Sequence, residues 1–539
     1  MTTLQGKSVC RGIVKAKLAF YRRKKHRISR FTVQDKEAQW QRYLKAKKEA
    51  AGQLEQLKSD TERMLGQEEA AVFEMQKLML DDCEYVEALR SLILEQGMNA
   101  EYAVYATGES MARRLDALED AYIKERAQDV RDISERLLNV LGQNDAEEKF
   151  PKEPSIVAAD DLTPSETVRL AGEKVLGFVL REGGIHSHTA ILARNMGVPA
   201  LVGVGNSLLE VYDGAEALLD GDTGDLYIEP DEETLLAMAK KKQQADADKE
   251  RLLALKGLEN ITSRGRRIEV FANAGSLEDI DNAIRNDAGG IGLLRSEILY
   301  LGRSSAPDEE TQLAFYRSVL EKMEGREVII RTMDIGADKK LSYLNLPTEE
   351  NPALGFRAIR ICLERPELFK VQLRALYRAG RYGRLRILYP MITSEKELHR
   401  IREIESQVKE ELLKEQIPFE SRIPTGIMIE TPAAALISDR LAKLTDFFSV
   451  GTNDLTQYTL ALDRQNAGLE RFFDAHHPAV LGLIRLAAEN AHKAGIKIGI
   501  CGELAADLSL TDELIEMGID ELSVSPGMIL LLREKIRGI

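Results

Sequence analysis

The stretch Gly183-Gly184-Ile185-His186-Ser187-His188-Thr189-Ala190-Ile191-Leu192-Ala193-Arg194-Asn195-Met196-Gly197 joins a tight turn to the start of a helix. Two adjacent glycines let the backbone turn sharply and approach a ligand closely. Ser187 reads as the N-cap, Thr189 to Met196 as an amphipathic helix, and Gly197 as its left-handed stop before Val198-Pro199. His188 therefore falls at a helix N-terminus, where free N–H groups and the helix dipole favour phosphate. An imidazole in that place can accept a phosphoryl group; the alternative is a histidine that only hydrogen-bonds within its turn.

Strand signals lie on both sides of this stretch. Ser155 to Ala159, Val175 to Leu180, Ala200 to Gly203 and Glu216 to Asp220 are short, apolar and bounded by turn residues. Residues 7 to about 22 alternate in the manner of strands and need partners. This predicts one α/β domain built from residues 1–22 and 145–228, interrupted by residues 23–144. The interruption begins with the basic run 22–27, read as a solvated edge. From about Val33 to Gly142 it has no proline and repeats apolar residues at helical spacing, including Leu54, Leu57, Met64, Leu65, Val72, Met75 and Met79. Turn signals near Gly66, Gly97 and Gly108 divide it into antiparallel helices. Between Thr61 and Asp120 stand fourteen acidic and five basic residues, so an acidic face carrying Phe73, Met75, Met79 and Met111 could dock a basic partner, or those side chains could be core.

At 539 residues the chain needs several domains. A net charge of −14 argues against general nucleic-acid binding, and no apolar stretch is long enough to cross a bilayer. The N-terminus has no signal-peptide pattern, and four scattered cysteines suggest neither disulfides nor zinc, so a cytoplasmic location is expected. Residues 229–260 are charged and helix-prone, a linker helix. Over residues 261–539 eight strand signals alternate with helices: Ile268–Phe271, Gly290–Leu294, Val328–Ile330, Leu385–Tyr389, Thr425–Ile429, Phe447–Val450, Ile496–Ile500 and Leu522–Val524. That length and rhythm predict a (β/α)8 TIM barrel.

Barrel chemistry belongs at the carboxyl ends of the strands. Those positions carry Arg295, Arg331, Glu430, Asn453, Asp454 and Cys501, with Arg464 slightly beyond. Glu430 and Asp454 are hard oxygen ligands suited to Mg²⁺, with Mn²⁺ equally served by oxygen donors. The arginines offer planar forks for phosphate and carboxylate groups. Cys501 supplies a thiol able to move a proton, or packs as a small hydrophobe.

Jointly, these motifs resemble those of the phosphoenolpyruvate-using phosphotransferases. The matching segments are Gly183-Gly184-x-x-Ser187-His188-Thr189, Gly292-Leu293-Leu294-Arg295-Ser296-Glu297, Arg331-Thr332-Met333-Asp334-Ile335-Gly336 and Asn351-Pro352-Ala353-Leu354-Gly355-Phe356-Arg357. Gly426 to Glu430, Ser449 to Tyr458 and Cys501-Gly502-Glu503 follow in the same order. Within that group the chain resembles the enzyme I family of sugar phosphotransferase systems along nearly its whole length. The resemblance implies a swivelling phosphohistidine α/β domain, an inserted all-helical module that docks the histidine carrier protein HPr, and a phosphoenolpyruvate-binding barrel that forms a homodimer. It implies that His188 is the phosphohistidine, that Arg295 and Arg331 hold the substrate phosphate with Arg357 as a further contact, and that Arg464 and Asn453 hold its carboxylate. Glu430 and Asp454 would bind Mg²⁺, Asp454 also facing the substrate, and Cys501 would protonate the enolate to pyruvate. His186, beside the nucleophile, and Cys10, near the start of the α/β domain, depart from the family pattern. Because His188 and the barrel belong to different domains, rigid-body motion about hinges near 22, 145 and 230–262 is expected. Pyruvate phosphate dikinases and phosphoenolpyruvate synthases share the histidine domain and the barrel but need a nucleotide-binding domain for which no stretch here is expected to have room. A phosphorylation sensor or scaffold is the non-enzymatic alternative.

Overall fold

Ile156 and Ala158 of one strand pack on one side of a sheet, while Val157 and Ala159 pack on the other. That two-residue period organises the first half of the chain. The computed structural model describes the whole chain apart from residues 22–27, 66, 118–120, 143–150, 152, 163, 171–173, 185–187, 196, 304, 338, 340 and 465. It divides into two units, Met1–Asp246 and Ala247–Ile539.

In the first unit, β1 (Thr2–Gln5), β2 (Lys7–Cys10), β3 (Ile13–Phe20), β4 (Ser155–Ala159), β5 (Val175–Leu180), β6 (Ala200–Val202), β7 (Glu216–Asp220) and β8 (Asp225–Ile228) form one sheet. Its order is β1-β8-β7-β3-β4-β5-β6-β2, parallel from β3 through β6 and antiparallel elsewhere. The opening strands thus pair with strands more than 130 residues away, β3 with β4 in the register Leu18↔Ile156. β1 is absent from the sequence reading because Thr2, Thr3 and Gln5 are exposed polar residues and only Leu4 is buried, leaving no apolar alternation to detect.

Between β3 and β4 the described residues form the α-helices α1 (Lys36–Leu65), α2 (Gln67–Met79), α3 (Cys83–Arg90), α4 (Ala100–Asp116) and α5 (Ala121–Leu141), with a π-helical turn at Ser91–Glu95. They enclose a core of Tyr43, Leu54, Phe73, Tyr85, Leu89, Val104, Ile133 and Leu137. Phe73 is core, Met79 and Met111 pack against it, and Met75 and Leu78 face solvent. Gly97 takes a left-handed turn at φ +69° before α4. Gly108 corrects the expectation of a turn, for it lies inside α4. A Cβ there would stand 2.2 Å from Ser134 Oγ and 2.8 Å from its Cβ, so this glycine exists to bring α4 against α5. After α6 (Pro164–Leu170) and α7 (His188–Asn195), α8 (Glu232–Leu253) carries the chain across the boundary between the units.

The second unit is a closed parallel barrel of β9 (Glu269–Ala274), β10 (Gly290–Arg295), β11 (Glu327–Arg331), β12 (Arg384–Tyr389), β13 (Thr425–Ile429), β14 (Phe447–Val450), β15 (Lys497–Ile500) and β16 (Glu521–Val524). All eight expected strands are present. Leu293, Ile329, Leu388, Met428, Phe447 and Cys501 fill the interior. No described helix is long and apolar enough to cross a membrane. The described cysteines are all free.

Gly108→Ala is expected to destabilise the first unit. The gain in helix propensity is about 0.5–1 kcal/mol, whereas forcing a methyl into Ser134 costs about 1–3 kcal/mol. Urea unfolding should show a net loss, and Gly108→Ala combined with Ser134→Gly should recover part of it.

Candidate active site

β10 and β11 end side by side, Arg295 paired with Arg331 in the ladder, so two guanidinium groups start from neighbouring points on one rim. Arg295 is exposed and has no hydrogen bond or ion pair among the described residues. Arg331 turns inward and is held between two carboxylates, bonding Glu297 and lying 2.9 Å from Asp334. Asp334 also accepts from Arg357 at 2.8 Å. Arg357 lies 3.8 Å from Asp454 and donates to the Tyr458 hydroxyl at 3.2 Å. Arg464, 40% exposed, stands 3.6 Å from the other oxygen of Asp454. Cations and carboxylates therefore alternate across the barrel mouth from Glu297 to Arg464.

Glu430, immediately after β13, is buried and accepts the N–H of Met391, a residue in left-handed conformation at φ +57°. Gly451 leaves it room, since a Cβ there would come within 2.9 Å of Glu430 Oε2. Burial pushes the Glu430 carboxyl up to about 8, and the charges of Asp454 and Asp334 act in the same direction against Arg331. Burial also opposes ionisation of Asp334, but Arg331 and Arg357 outweigh it and hold that carboxyl below its usual range. Asp454 Oδ1 is buried without a hydrogen bond among the described residues. Two buried carboxylates that repel each other, one with an oxygen that accepts no hydrogen bond among the described residues, suit a hard dication, which takes its remaining ligands from substrate and water. The described residues offer no cluster of three or more His, Cys, Asp or Glu side chains able to hold a metal by themselves.

Cys501 follows β15 and is buried in the apolar interior. Burial pushes its thiol up to about 11, so it is protonated at neutral pH. Asn453 is tied to Glu503 by two bonds, Nδ2 to Oε1 at 3.0 Å and Oδ1 from the Glu503 N–H at 3.1 Å. Its amide is thus turned along the rim toward the β15 loop. The structure brings Arg331, Arg357, Asp454 and Arg464 into one chain of contacts, with Glu430 close enough to feel Asp454, and sets Arg295 unpaired beside them.

Four side chains given no role by the sequence are part of this site: Glu297, Asp334, Tyr458 and Ser449. Glu297, Asp334 and Tyr458 sit inside motifs that were recognised, but nothing in a motif says that a carboxylate points at a neighbouring arginine. Tyr458 additionally bonds the carbonyl of Ala353, pinning the 351–357 segment that carries Arg357. Ser449 likewise opens the matching segment Ser449 to Tyr458, and nothing in that motif says that its hydroxyl meets the Cys501 sulfur.

In the other unit, α7 opens at His188, and Gly197 adopts the left-handed conformation beyond it at φ +65°. Thr189 is buried and donates to Leu162 O at 2.8 Å, and Ala190 and Ala193 pack into the sheet core, so the first turn of this helix is fixed against the α/β domain. His186, Ser187, the His188 side chain and the hinge positions near 22 and 145 lie outside the described residues. Cys10 is half-buried on β2, where desolvation pushes its thiol up and the Arg194 charge opposes it.

Family models described as PEP-utilising enzyme, N-terminal; mobile domain; and PEP-binding domain match residues 5–126, 151–224 and 249–539. The chain is 38% identical to a phosphoenolpyruvate-protein phosphotransferase of Priestia megaterium over 99% of its own length and 93% of the relative's. It is 41% identical to the protein of that name from Geobacillus stearothermophilus, over 94% and 88% of the two chains. The Bacillus subtilis (strain 168) protein of that name is 38% identical, over 99% and 94%.

Glu430 makes metal-free stability depend on pH. Its folded-state value near 8 lies above the ordinary 4.5, so the burial penalty is absent at low pH, grows as pH rises between those values and is complete above 8. Glu430→Gln removes the penalty. In chelator, urea unfolding of the variant should gain on wild type as pH rises from 5 to 8, by at most about 1.4 kcal/mol per pH unit. Parallel pH profiles would contradict a buried, repelled Glu430.

Proposed function

Because the chain belongs to the phosphoenolpyruvate-protein phosphotransferases among the PEP-utilising enzymes, we propose that it takes the phosphoryl group of phosphoenolpyruvate onto His188, releases pyruvate, and passes the group to a histidine of HPr. The observation that carries this reading is the barrel mouth, where Arg331 and Arg357 are locked by Asp334 while Arg295 stands unpaired and Asp454 Oδ1, 3.6 Å from Arg464, accepts no hydrogen bond among the described residues. Such a rim suits a small anion bearing both phosphate and carboxylate.

Arg295 and Arg331 hold the phosphate, with Arg357 as a further contact, and Arg464 and Asn453 hold the carboxylate. Charge placement of this kind, together with alignment of the acceptor, is most of what phosphoryl transfer requires from a protein. His188 Nε2 attacks phosphorus, and the bond from phosphorus to the enol oxygen breaks. The bond electrons stay on that oxygen, giving pyruvate enolate. The Cys501 S–H then gives its proton to C3, completing pyruvate and leaving a thiolate that solvent reprotonates. A thiol kept neutral by burial is the state a proton donor needs.

Glu430 and Asp454 fit Mg²⁺, and Mn²⁺ by the same oxygen chemistry. The metal when bound supplies positive charge against the phosphate and the enolate oxygen. His188 and the barrel mouth belong to different units, and in this reading rigid-body motion about hinges near residues 22, 145 and 230–262 serves the transfer. The partners in this reading are HPr on the acidic helical module, where Met75 and Leu78 are exposed, and a second copy through the barrel. The location is cytoplasmic.

Intact mass after incubation with phosphoenolpyruvate and Mg²⁺ tests the assignment. Wild type should gain one acid-labile phosphoryl group that leaves on addition of HPr, and His188→Ala should gain none. Labelling that persists in the variant would move the acceptor, His186 being the neighbouring imidazole. Labelling from ATP in place of phosphoenolpyruvate would overturn the reading.

A further inference from the structure

Cys501 is fixed at its backbone from two sides. Its N–H continues the parallel ladder to Val450 O at 3.1 Å, and its carbonyl accepts from Asn273 Nδ2 at 3.0 Å. Asn273 is itself oriented by Ser523, whose hydroxyl donates to Asn273 Oδ1 at 2.8 Å. With the backbone immobile, the position of the sulfur depends on its side-chain rotamer alone. Two polar groups select it: the Ser449 hydroxyl donates to Sγ at 3.3 Å, and the Sγ–H faces Val450 O at 3.6 Å. Ser449 is an inward residue of β14, buried to 2% exposure, and its hydroxyl has no other partner among the described residues.

The remaining neighbours make this hydroxyl significant. Leu293, Ile329, Leu388, Met428 and Phe447 surround the sulfur, a setting that stabilises a thiol and strongly disfavours a thiolate. When the proton leaves, a negative sulfur is created among apolar side chains. The charged groups that act on it are Arg331, in its favour, and Glu430 and Glu521, against it. Arg331 already neutralises Glu297 and Asp334, so little of its charge is left for sulfur. Ser449 is the direct donor that can follow the charge as it develops. A hydrogen bond to a charged group is roughly twice as strong as one to a neutral group, so the bond favours the thiolate over the thiol.

We propose that Ser449 is a positioning residue for proton transfer: it aims the Cys501 sulfur and stabilises the thiolate left after the S–H proton has gone to C3 of the enolate. This rests on Cys501 being the proton donor, and the experiment separates the two claims.

In the reverse direction the Cys501 thiolate removes a proton from the pyruvate methyl group. Deuterium entry into that methyl in D2O with Mg²⁺, followed by NMR on the full chain, therefore reports the thiolate. Ser449→Ala should lower the maximal exchange rate about tenfold, one pKa unit of thiolate fraction, with the half-saturating pyruvate concentration unchanged. Ser449→Thr should restore most of the rate and Ser449→Cys, a weaker donor, should fall between. Exchange at the wild-type rate in Ser449→Ala would overturn the proposal, as would a loss that Thr does not restore or that appears as weaker pyruvate binding. Exchange that survives Cys501→Ala would overturn the assignment of Cys501 itself, whatever Ser449 does. Should the alanine variant not fold, the order Ser, Thr and Cys still decides the matter.

Discussion

Burying Asp334, Glu430 and Asp454 at one end of a barrel is tolerable only because guanidinium groups lie between them. An isolated carboxylate taken from water into such a site would simply take up a proton. Asp334 escapes that outcome because Arg331 and Arg357 both contact it, at 2.9 and 2.8 Å. Glu430 has no such contact, and burial pushes it up to about 8. The pair shows two settings of one constraint: a carboxylate committed to holding arginines, and a carboxylate left needing a cation. The substrate and metal roles proposed for this site, and the pH response expected of Glu430, all descend from that division.

The barrel interior makes the site possible through glycine. Gly426 lies against the Phe447 ring, where a Cβ would approach within 2.5 Å, and Gly292 lies against Glu521 and Ser523 at 2.4 and 2.5 Å. Large side chains from alternate strands can then reach the axis and close the barrel beneath the catalytic end. Cys501 sits at the top of this packing, where the apolar interior meets the arginine-rich mouth. The same position that keeps its proton on at neutral pH makes the proton costly to give up, and Ser449 lies where that cost is reduced.

Much of this is legible in the sequence. The eight barrel strands are bounded by turn residues and helices, so their order and even the identity of the rim residues follow from local pattern. The histidine helix was equally readable, with a left-handed glycine where the pattern required one. The failures are as physical as the successes. Gly108 resembles a helix breaker, yet its missing side chain admits Ser134 from another helix. Thr2–Gln5 lacks apolar alternation because it is a sheet-edge strand paired only with β8, with a single residue turned inward.

By itself the sequence determined what depends on near neighbours: the alternation that makes strands, the helical spacing of residues 33–142, the helix between His188 and Gly197, and the residue types delivered to each strand end. The tertiary structure decided what depends on residues far apart in the chain meeting in space. Arg331 and Asp334 are three residues apart, but their charge balance also needs Glu297, Arg357, Glu430 and Asp454 from four other segments. Ser449 meets Cys501 across 52 residues. Electrostatic energy in a desolvated site depends on distances of a few ångströms, and a motif specifies residue types without specifying those distances.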